Sequence, residues 1–486
     1  MGCLWHREPN VFIILFYALN VNIFCIKVNK GVLHLEILEK IENHAKKKPH
    51  QVALRFDEQA LTYDELIKEL NNKSDLFSNI PKHSIVGLVT RHPQKAMIIY
   101  LALLKSECVP CIFDDRWSSA QTFNLVEKYG VQYLMEEEDL SIHNVTQKDN
   151  FKDDDDLLHI AFTSGTTGLP KAYYRGALSW IKSFSKNDQL FDRMINTVVA
   201  PGPLSHSLSL YACIYALYTG RTFIGQRYFE AKRLMQTIQH QKVNTACFMV
   251  PTMIQACVAT QILIEGKHYI LSTGDKLGLH IRQRIQQCFP KSDLIEFFGT
   301  SEASFISYNF NNSAPPESVG KLFHNVHVNI EQPDVSGIGL LKIRSDMSFG
   351  GYVDEDVSDD SWIETGDFAS SDAHAHLFLH GRKHDRMIIG GRNVYPFEIE
   401  QHAKSINLFK EVVVISEKHS KFGEIAVLLY TGDHTVRYND FRKIMKHHVA
   451  RYQIPSKLVK VKRMVYTSSG KIARERMKQC YLKGEL

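Results

Sequence analysis

The stretch Phe162-Thr163-Ser164-Gly165-Thr166-Thr167-Gly168-Leu169-Pro170-Lys171 interleaves hydroxyl side chains with two glycines and closes on a lysine. Glycine lets a backbone take up positive φ and come close to a phosphate, and neighbouring hydroxyls and amides can then donate to its oxygens. Apolar Ile160-Ala161-Phe162 just before it reads as the end of a buried strand, which would hold the loop at a sheet edge. The stretch is therefore read as a phosphate cradle. It differs from the Walker pattern, which requires Gly-Lys-Ser/Thr at a fixed distance from the first glycine.

At 486 residues the chain has room for one large domain and a smaller one. Its 44% hydrophobic and 23% charged content are ordinary for a soluble globular protein. A scattered net charge of +5 suits small polyanions such as nucleotides and gives no argument for nucleic acid. The acidic run Asp153 to Asp156, just before the cradle, reads as a solvated connection. Nine cysteines, an odd number without regular spacing, argue against a disulfide framework and fit a reducing, cytoplasmic setting. Cys108 and Cys111 have the spacing of a redox pair, yet they sit in the apolar run Cys108 to Phe113. They are expected to be small core residues of a strand.

The amino terminus stands apart. Val11 to Leu19 is continuously apolar, but it is short for a membrane span and lacks the basic start and small-residue cleavage site of a signal peptide. A weak membrane anchor, a buried or interfacial helix and an extension outside the working protein compete for residues 1–31. The last is favoured, because the globular pattern begins near Val32.

From there strands and helices alternate. Thr62-Tyr63-Asp64-Glu65 is a capping box leading a helix. Ser84 to Thr90, Cys108 to Phe113 and Val131 to Met135 read as strands, with helices over Gln94 to Lys105 and Ser118 to Tyr129 between them. After the cradle, Asn196 to Ala200, Thr222 to Gly225, Thr245 to Val250 and Leu294 to Phe298 read as strands, with a helix over Leu208 to Tyr218. This alternation predicts parallel-rich sheets covered by helices. From about Gly320 short strands and turns suggest a small barrel-like part. A boundary falls at Gly381-Arg382, and residues 382–486 form a compact α+β tail with helices over Glu398 to Ser405, Asn439 to Ala450 and Ile472 to Tyr481 and a strand over Lys457 to Arg463. The expected fold is thus α/β, a large domain over 32–381 followed by a small mobile one.

Four further motifs carry chemistry. Phe297-Phe298-Gly299-Thr300-Ser301-Glu302 places an aromatic ring, a glycine, hydroxyls and a carboxylate in one turn, and a carboxylate beside a phosphate loop is a natural Mg2+ ligand. Thr365-Gly366-Asp367 ends a stretch with a tight turn and an acid suited to ribose hydroxyls. Gly381-Arg382-Lys383-His384-Asp385-Arg386 and the run from Gly390-Gly391 to Glu400 read as a charged joint followed by a rigid turn. Thr467-Ser468-Ser469-Gly470-Lys471 presents a lysine before the last helix. Each has a plainer reading when taken alone, such as a helix-capping turn or a surface lysine.

In identity, order and approximate spacing, these pieces and the cradle resemble the adenylate-forming superfamily of acyl-CoA synthetases, luciferases and peptide-synthetase adenylation domains. The resemblance covers about residues 32 to 486. It implies ATP, Mg2+ and CoA as the groups bound. It also implies a large AMP-binding domain and a small carboxyl-terminal domain that rotates about the joint. Thr163, Ser164, Gly165, Thr166, Thr167 and Gly168 would hold the outer phosphates, with Lys171 as a further cation. Thr166 and Glu302 would hold the metal. Phe298, with Gly299 and Thr300 after it, would stack on adenine opposite Gly274 and Asp275. Asp367 would take the ribose hydroxyls, supported by Arg382, and Lys471 would lie between carboxylate and α-phosphate. Gly390 and Gly391 would be brought to the thiol tunnel. The chain departs from the family pattern at Ala172, Phe298, Val465 and His384.

Pro203-Leu204-Ser205-His206 separates the branches. Amino-acid-activating members carry an Asp here for the substrate ammonium, whereas this stretch looks like the Pro-Leu-x-His of acyl- and aryl-CoA ligases, with His206 as a gate beside the carboxylate. The resemblance is strongest to short bacterial long-chain fatty-acid–CoA ligases. An o-succinylbenzoate–CoA ligase, a carrier-protein ligase, a luciferase-type oxygenase and a non-catalytic adenylate binder are the alternatives. No nucleic acid partner is expected. The helix Leu208 to Tyr218 and the segment Cys247 to Ala259 would line an acyl pocket or be plain core.

Overall fold

The computed structural model describes residues 7–8, 11–12, 28–29, 33–137, 139–142, 156–163, 170–241, 244–355, 362–406, 408–467 and 472–486. The expectations for Ser164, Gly165, Thr166, Thr167, Gly168 and Lys471, and most of the extension over 1–31, lie outside these residues.

Two sheets make the large domain. One has six strands in the order Lys171–Gly176, Leu157–Thr163, Val109–Ile112, Ile85–Val89, Tyr133–Glu136 and Asp139–Ile142. Its inner pairs are parallel and its two edge pairs antiparallel. The second has nine strands and is parallel from Asp293–Thr300 through Tyr269–Ser272, Thr245–Met249, Thr197–Val199 and Thr222–Gly225 to Val52–Phe56. The predicted strands of both halves are therefore present, and their alternation with helices produces the parallel order.

Between the sheets run the helices Pro93–Lys105 and Ser207–Tyr218. Ala96 to Leu104 and Ser209 to Leu217 are buried without interruption, and one core cluster joins these helices to strands of both sheets. A helix apolar on every side cannot lie on a surface. The second helix is thus core along most of its length, which decides that question for Leu210 to Leu217. Thr62 caps the helix Tyr63–Ser74 with the reciprocal bonds of a capping box, as its sequence predicts. Among the described residues no helix is long and apolar enough to cross a membrane.

The barrel-like part takes the form of a four-stranded antiparallel sheet, Val326–Glu331, Gly339–Ser345, Ile363–Ser371 and Leu377–Arg382. A short helical turn, Lys383–Asp385, leads to the smaller carboxyl-terminal domain. There Met387–Ile389, Arg392–Val394, Glu411–His419, Gly423–Thr431 and Lys457–Lys460 form one sheet, with the helices Pro396–Ser405, Tyr438–Met445 and Arg474–Lys483.

Several boundaries differ from the sequence reading, and three in the carboxyl-terminal domain have a visible cause. The helix expected over Asn439 to Ala450 stops at Met445, because the following turn is held by Gln453, whose side chain accepts from the Ala450 amide at 2.9 Å. The strand expected over Lys457 to Arg463 ends at Lys460, since its partner strand ends at Thr431. The last helix starts at Arg474 because Ile472 pairs instead with Tyr466.

Candidate active site

The site is built at the carboxyl edge of the nine-stranded sheet, where parallel strands leave their last residues free for ligands. Ser272 is paired with Glu296, so the next residues of the two strands carry Gly274 and Phe298 to the same edge. Gly274 has φ +91°, a value only glycine takes up without strain, and it turns the chain out of the strand there. Gly274 and Asp275 are exposed and Phe298 is half-buried, which leaves a ring face and a backbone wall on one edge.

Phe298-Gly299-Thr300 is strand rather than turn. It pairs antiparallel with Ser304–Phe310, and only Ser301 to Ala303 form the reversal. Gly299 is required by this hairpin, since a Cβ there would lie 2.2 Å from the Ser304 carbonyl oxygen. The predicted turn is thus a hairpin tip with Glu302 at its apex.

Tyr352 ties this tip to the cradle's exit strand. Its hydroxyl donates to Glu302 Oε1 at 2.6 Å, and its backbone bridges to Tyr173 on the strand Lys171–Gly176. Burial, and next the Glu302 charge, push the Tyr352 phenol far above its ordinary value, so it stays a donor at any working pH. Lys171 lies over the same ring with Nζ 4.8 Å from its centroid and pairs with Glu355 at 3.3 Å. Two motifs that are 131 residues apart in sequence, Lys171 and Glu302, are thereby placed around one tyrosine. A single carboxylate at the tip suits Mg2+, which is commonly bound by one or two carboxylates with nucleotide phosphates completing its shell.

Thr365-Gly366-Asp367 lies within the strand Ile363–Ser371 instead of in a tight turn. Leu340 pairs with Phe368 and Lys342 with Glu364, so the strand bulges over residues 365–367, with Gly366 at φ +73°. The bulge aims Asp367, which is buried and accepts from Arg382 Nε at 2.9 Å. Arg382 Nη1 also donates to the Thr365 carbonyl at 3.1 Å.

His206 heads the helix Ser207–Tyr218 and meets two residues that sequence reasoning missed. Arg116 Nη2 donates to His206 Nε2 at 3.1 Å, and since a guanidinium can only donate, Nε2 is the acceptor. Asp114 is buried and holds Arg116 through Nε at 2.7 Å and Nη2 at 2.5 Å. Burial alone would raise the Asp114 carboxyl, but the bonds and charge of Arg116 hold it well below the usual range. Tyr352, Asp114 and Arg116 belong to no motif, and the site residues they meet, Glu302 for Tyr352 and His206 for Arg116, lie far away in sequence. The acidic pair Asp114-Asp115 ending a strand was the available signal.

Gly390 and Gly391 form the tip between Met387–Ile389 and Arg392–Val394, with φ +58° and +77°. They border an open depression shared with Lys418, His419, Lys421 and Phe422. Arg474 donates through Nε to Asp385 in the joint at 3.0 Å and through Nη2 to Glu400 at 3.2 Å. Cys108 and Cys111 are buried in and beside a strand, and burial pushes the Cys108 thiol up to about 11. A thiol so protonated is a core residue rather than a redox centre.

Residues 41–353 match the AMP-binding enzyme family. The chain belongs to that family. A Staphylococcus epidermidis protein provisionally named long chain fatty acid-CoA ligase VraA is 46% identical over 455 residues, covering 93% of this chain and 100% of that protein. Its Staphylococcus haemolyticus namesake is 43% identical over 464 residues, covering 93% and 99%. Among solved structures, the Bacillus subtilis o-succinylbenzoate CoA synthetase with its acyl-adenylate superposes with a TM-score of 0.79 at 19% identity, covering 90% of this chain and 97% of that one. ATP-bound MatB from Rhodopseudomonas palustris gives 0.78 at 17% identity, covering 94% and 100%. These last two are likenesses of fold. As an AMP-binding acyl-CoA ligase, the chain is an AMP-forming acid–thiol ligase of a family that uses ATP.

Proposed function

We propose that this AMP-binding ligase activates a fatty acid with ATP, releases pyrophosphate, and transfers the acyl group from the adenylate to CoA with release of AMP. One observation carries the choice of acid. Asp114, the carboxylate beside His206, is already taken up by Arg116 in a two-point pair, so it is not available to an amino-acid ammonium, whose burial without a partner is costly. The names of the staphylococcal relatives support the same reading.

The physical problem of adenylation is to bring a carboxylate and the α-phosphate, both anions, together. In this reading Glu302, oriented by Tyr352, would hold Mg2+, which would offset charge on the phosphates, and Lys171 would add positive charge. Phe298, Gly274 and Asp275 enclose the base, and Asp367, fixed by Arg382, takes the ribose hydroxyls. Lys471 lies between the reacting anions during adenylation. Gly390 and Gly391 then serve thioester formation after the 382–486 domain has turned about Lys383–Asp385. His206, held by Arg116, guards the carboxylate.

A pyrophosphate-release screen tests this. The panel holds fatty acids of several lengths, o-succinylbenzoate and amino acids, with CoA or a carrier protein as acceptor. Release with fatty acids and formation of their CoA thioesters is expected. Release with amino acids only, or with no acid, overturns the proposal. Release confined to o-succinylbenzoate is the second reading, favoured by the Arg116 guanidinium beside His206, which would suit an acid bearing a further carboxylate.

A further inference from the structure

Arg175 is the most heavily buried cation among the described residues, at 1% exposure, and it lies on the strand that leaves the phosphate cradle. Sequestering a guanidinium from water is costly unless its donors are satisfied. Its recorded partners are carbonyls and hydroxyls. Nη1 lies 3.1 Å from the Met347 carbonyl, 3.2 Å from Ser179 Oγ and 3.3 Å from Ser304 Oγ, and Nη2 donates to the Ser301 carbonyl. Burial lowers its proton affinity, while Tyr173 and the Glu302 charge act in the opposite direction.

Three of these four acceptors have one thing in common. Ser301 directly precedes Glu302, and Ser304 closes the same hairpin tip. Met347 belongs to the segment whose Phe349 amide donates to the Glu302 carbonyl at 2.7 Å. Ser304 sits at φ +57°, a left-handed conformation that costs a non-glycine residue about 1–3 kcal/mol and persists only where neighbours enforce it. Its hydroxyl donates to the Met347 carbonyl at 2.9 Å, beside the Arg175 contact to that same oxygen. The guanidinium therefore bolts both segments that carry the Glu302 backbone to the strand that begins at Lys171.

We infer that Arg175 is a positioning residue for metal–nucleotide binding, fixing the Glu302 tip relative to the cradle's exit strand. This rests on the reading that Glu302 engages Mg2+. A cation that served only to stabilise the core would not need every recorded acceptor but one, Ser179, to belong to the two segments framing that carboxylate.

The test uses the full-length enzyme and three variants, Arg175→Met, Arg175→Lys and Ser304→Ala. Pyrophosphate release is measured against Mg2+ concentration at fixed ATP, together with thioester formation from supplied acyl-adenylate and the melting temperature. Arg175→Met should raise the Mg2+ concentration for half-maximal release about tenfold or more, and the adenylation rate should fall further than the thioester rate. Arg175→Lys should recover part of the Mg2+ shift. Ser304→Ala, which keeps the guanidinium, should move it in the same direction by about threefold, and it keeps the test decisive if Arg175→Met fails to fold. An unchanged Mg2+ dependence in the variants that fold, or equal loss of both half-reactions tracking melting temperature, overturns the inference. Absence of Mg2+-dependent pyrophosphate release from the parent enzyme with every acid would instead defeat the functional reading itself.

Discussion

Asp367 and Arg382 are register partners on adjacent antiparallel strands, and their side chains meet at 2.9 Å with the carboxylate buried and the guanidinium about half exposed. The acid is thus locked from one side while the arginine remains within reach of solvent and ligand. Charge-assisted bonds of this kind contribute about 1.5–3 kcal/mol each. Asp367→Asn should therefore raise the KM for ATP by roughly ten- to a hundredfold. Arg382→Gln should act in the same direction but more weakly, because it loosens the acid without removing it. Steady-state kinetics with ATP varied checks both, and an unchanged KM in Asp367→Asn would remove the acid from nucleotide binding.

Tyr352→Phe deletes the 2.6 Å bond to Glu302 and keeps the ring under Lys171. The lost bond is worth about 1.5–3 kcal/mol because its acceptor is charged. Pyrophosphate release should fall by more than tenfold while the fold survives, as circular dichroism and melting would show. The parent should keep its full Tyr352 contribution up to pH 10, since the phenol's proton affinity is raised by burial and by Glu302.

Lys471→Ala should abolish acyl-adenylate formation yet leave thioester formation from a supplied adenylate largely intact. The two half-reactions are measured separately, by pyrophosphate release and by acyl-CoA formation. Equal loss of both would place the lysine's role elsewhere.

Lys276 follows Gly274-Asp275, and burial lowers its ammonium to about 8, with Glu296 opposing the shift. Its affinity for a proton is therefore weaker folded than unfolded. The charged form weighs against folding below about pH 8, and that burden lifts as pH rises from 8 towards the unfolded value near 10.5. Lys276→Met should melt above the parent at pH 7, with the gap closing between pH 8 and 10.5. A gap independent of pH would mean that lost packing, not charge, sets the difference.

The sequence carried the parallel order, the placement of most elements and the motifs themselves, because period and turn chemistry are local. It misread the shape of two motifs for the same reason. Thr365-Gly366-Asp367 looks like a turn in three residues, but its bulge is imposed by the pairing of Leu340 and Lys342 across the sheet. Phe298-Gly299-Thr300 becomes strand because Ser304 to Phe310 returns to pair with it. Arg175, Tyr352 and the Asp114–Arg116 pair left no trace in spacing. A lone arginine or tyrosine acquires meaning only from partners 50 or 126 residues away, as in Tyr352 with Glu302 and Arg175 with Ser301.

Arg474 grips both Asp385 in the joint and Glu400 in the small domain's first helix, and it stands three residues after Lys471. Asp385, Glu400 and the start of the last helix are consequently tied together through one side chain, as parts of one stiff crank. Under the proposed turn of the small domain, the angle at Lys383–Asp385 would carry the start of the last helix with it. If the small domain turns as proposed, the timing of the two half-reactions would rest on these few bonds, and cutting Arg474 from Asp385 would unclutch the lever.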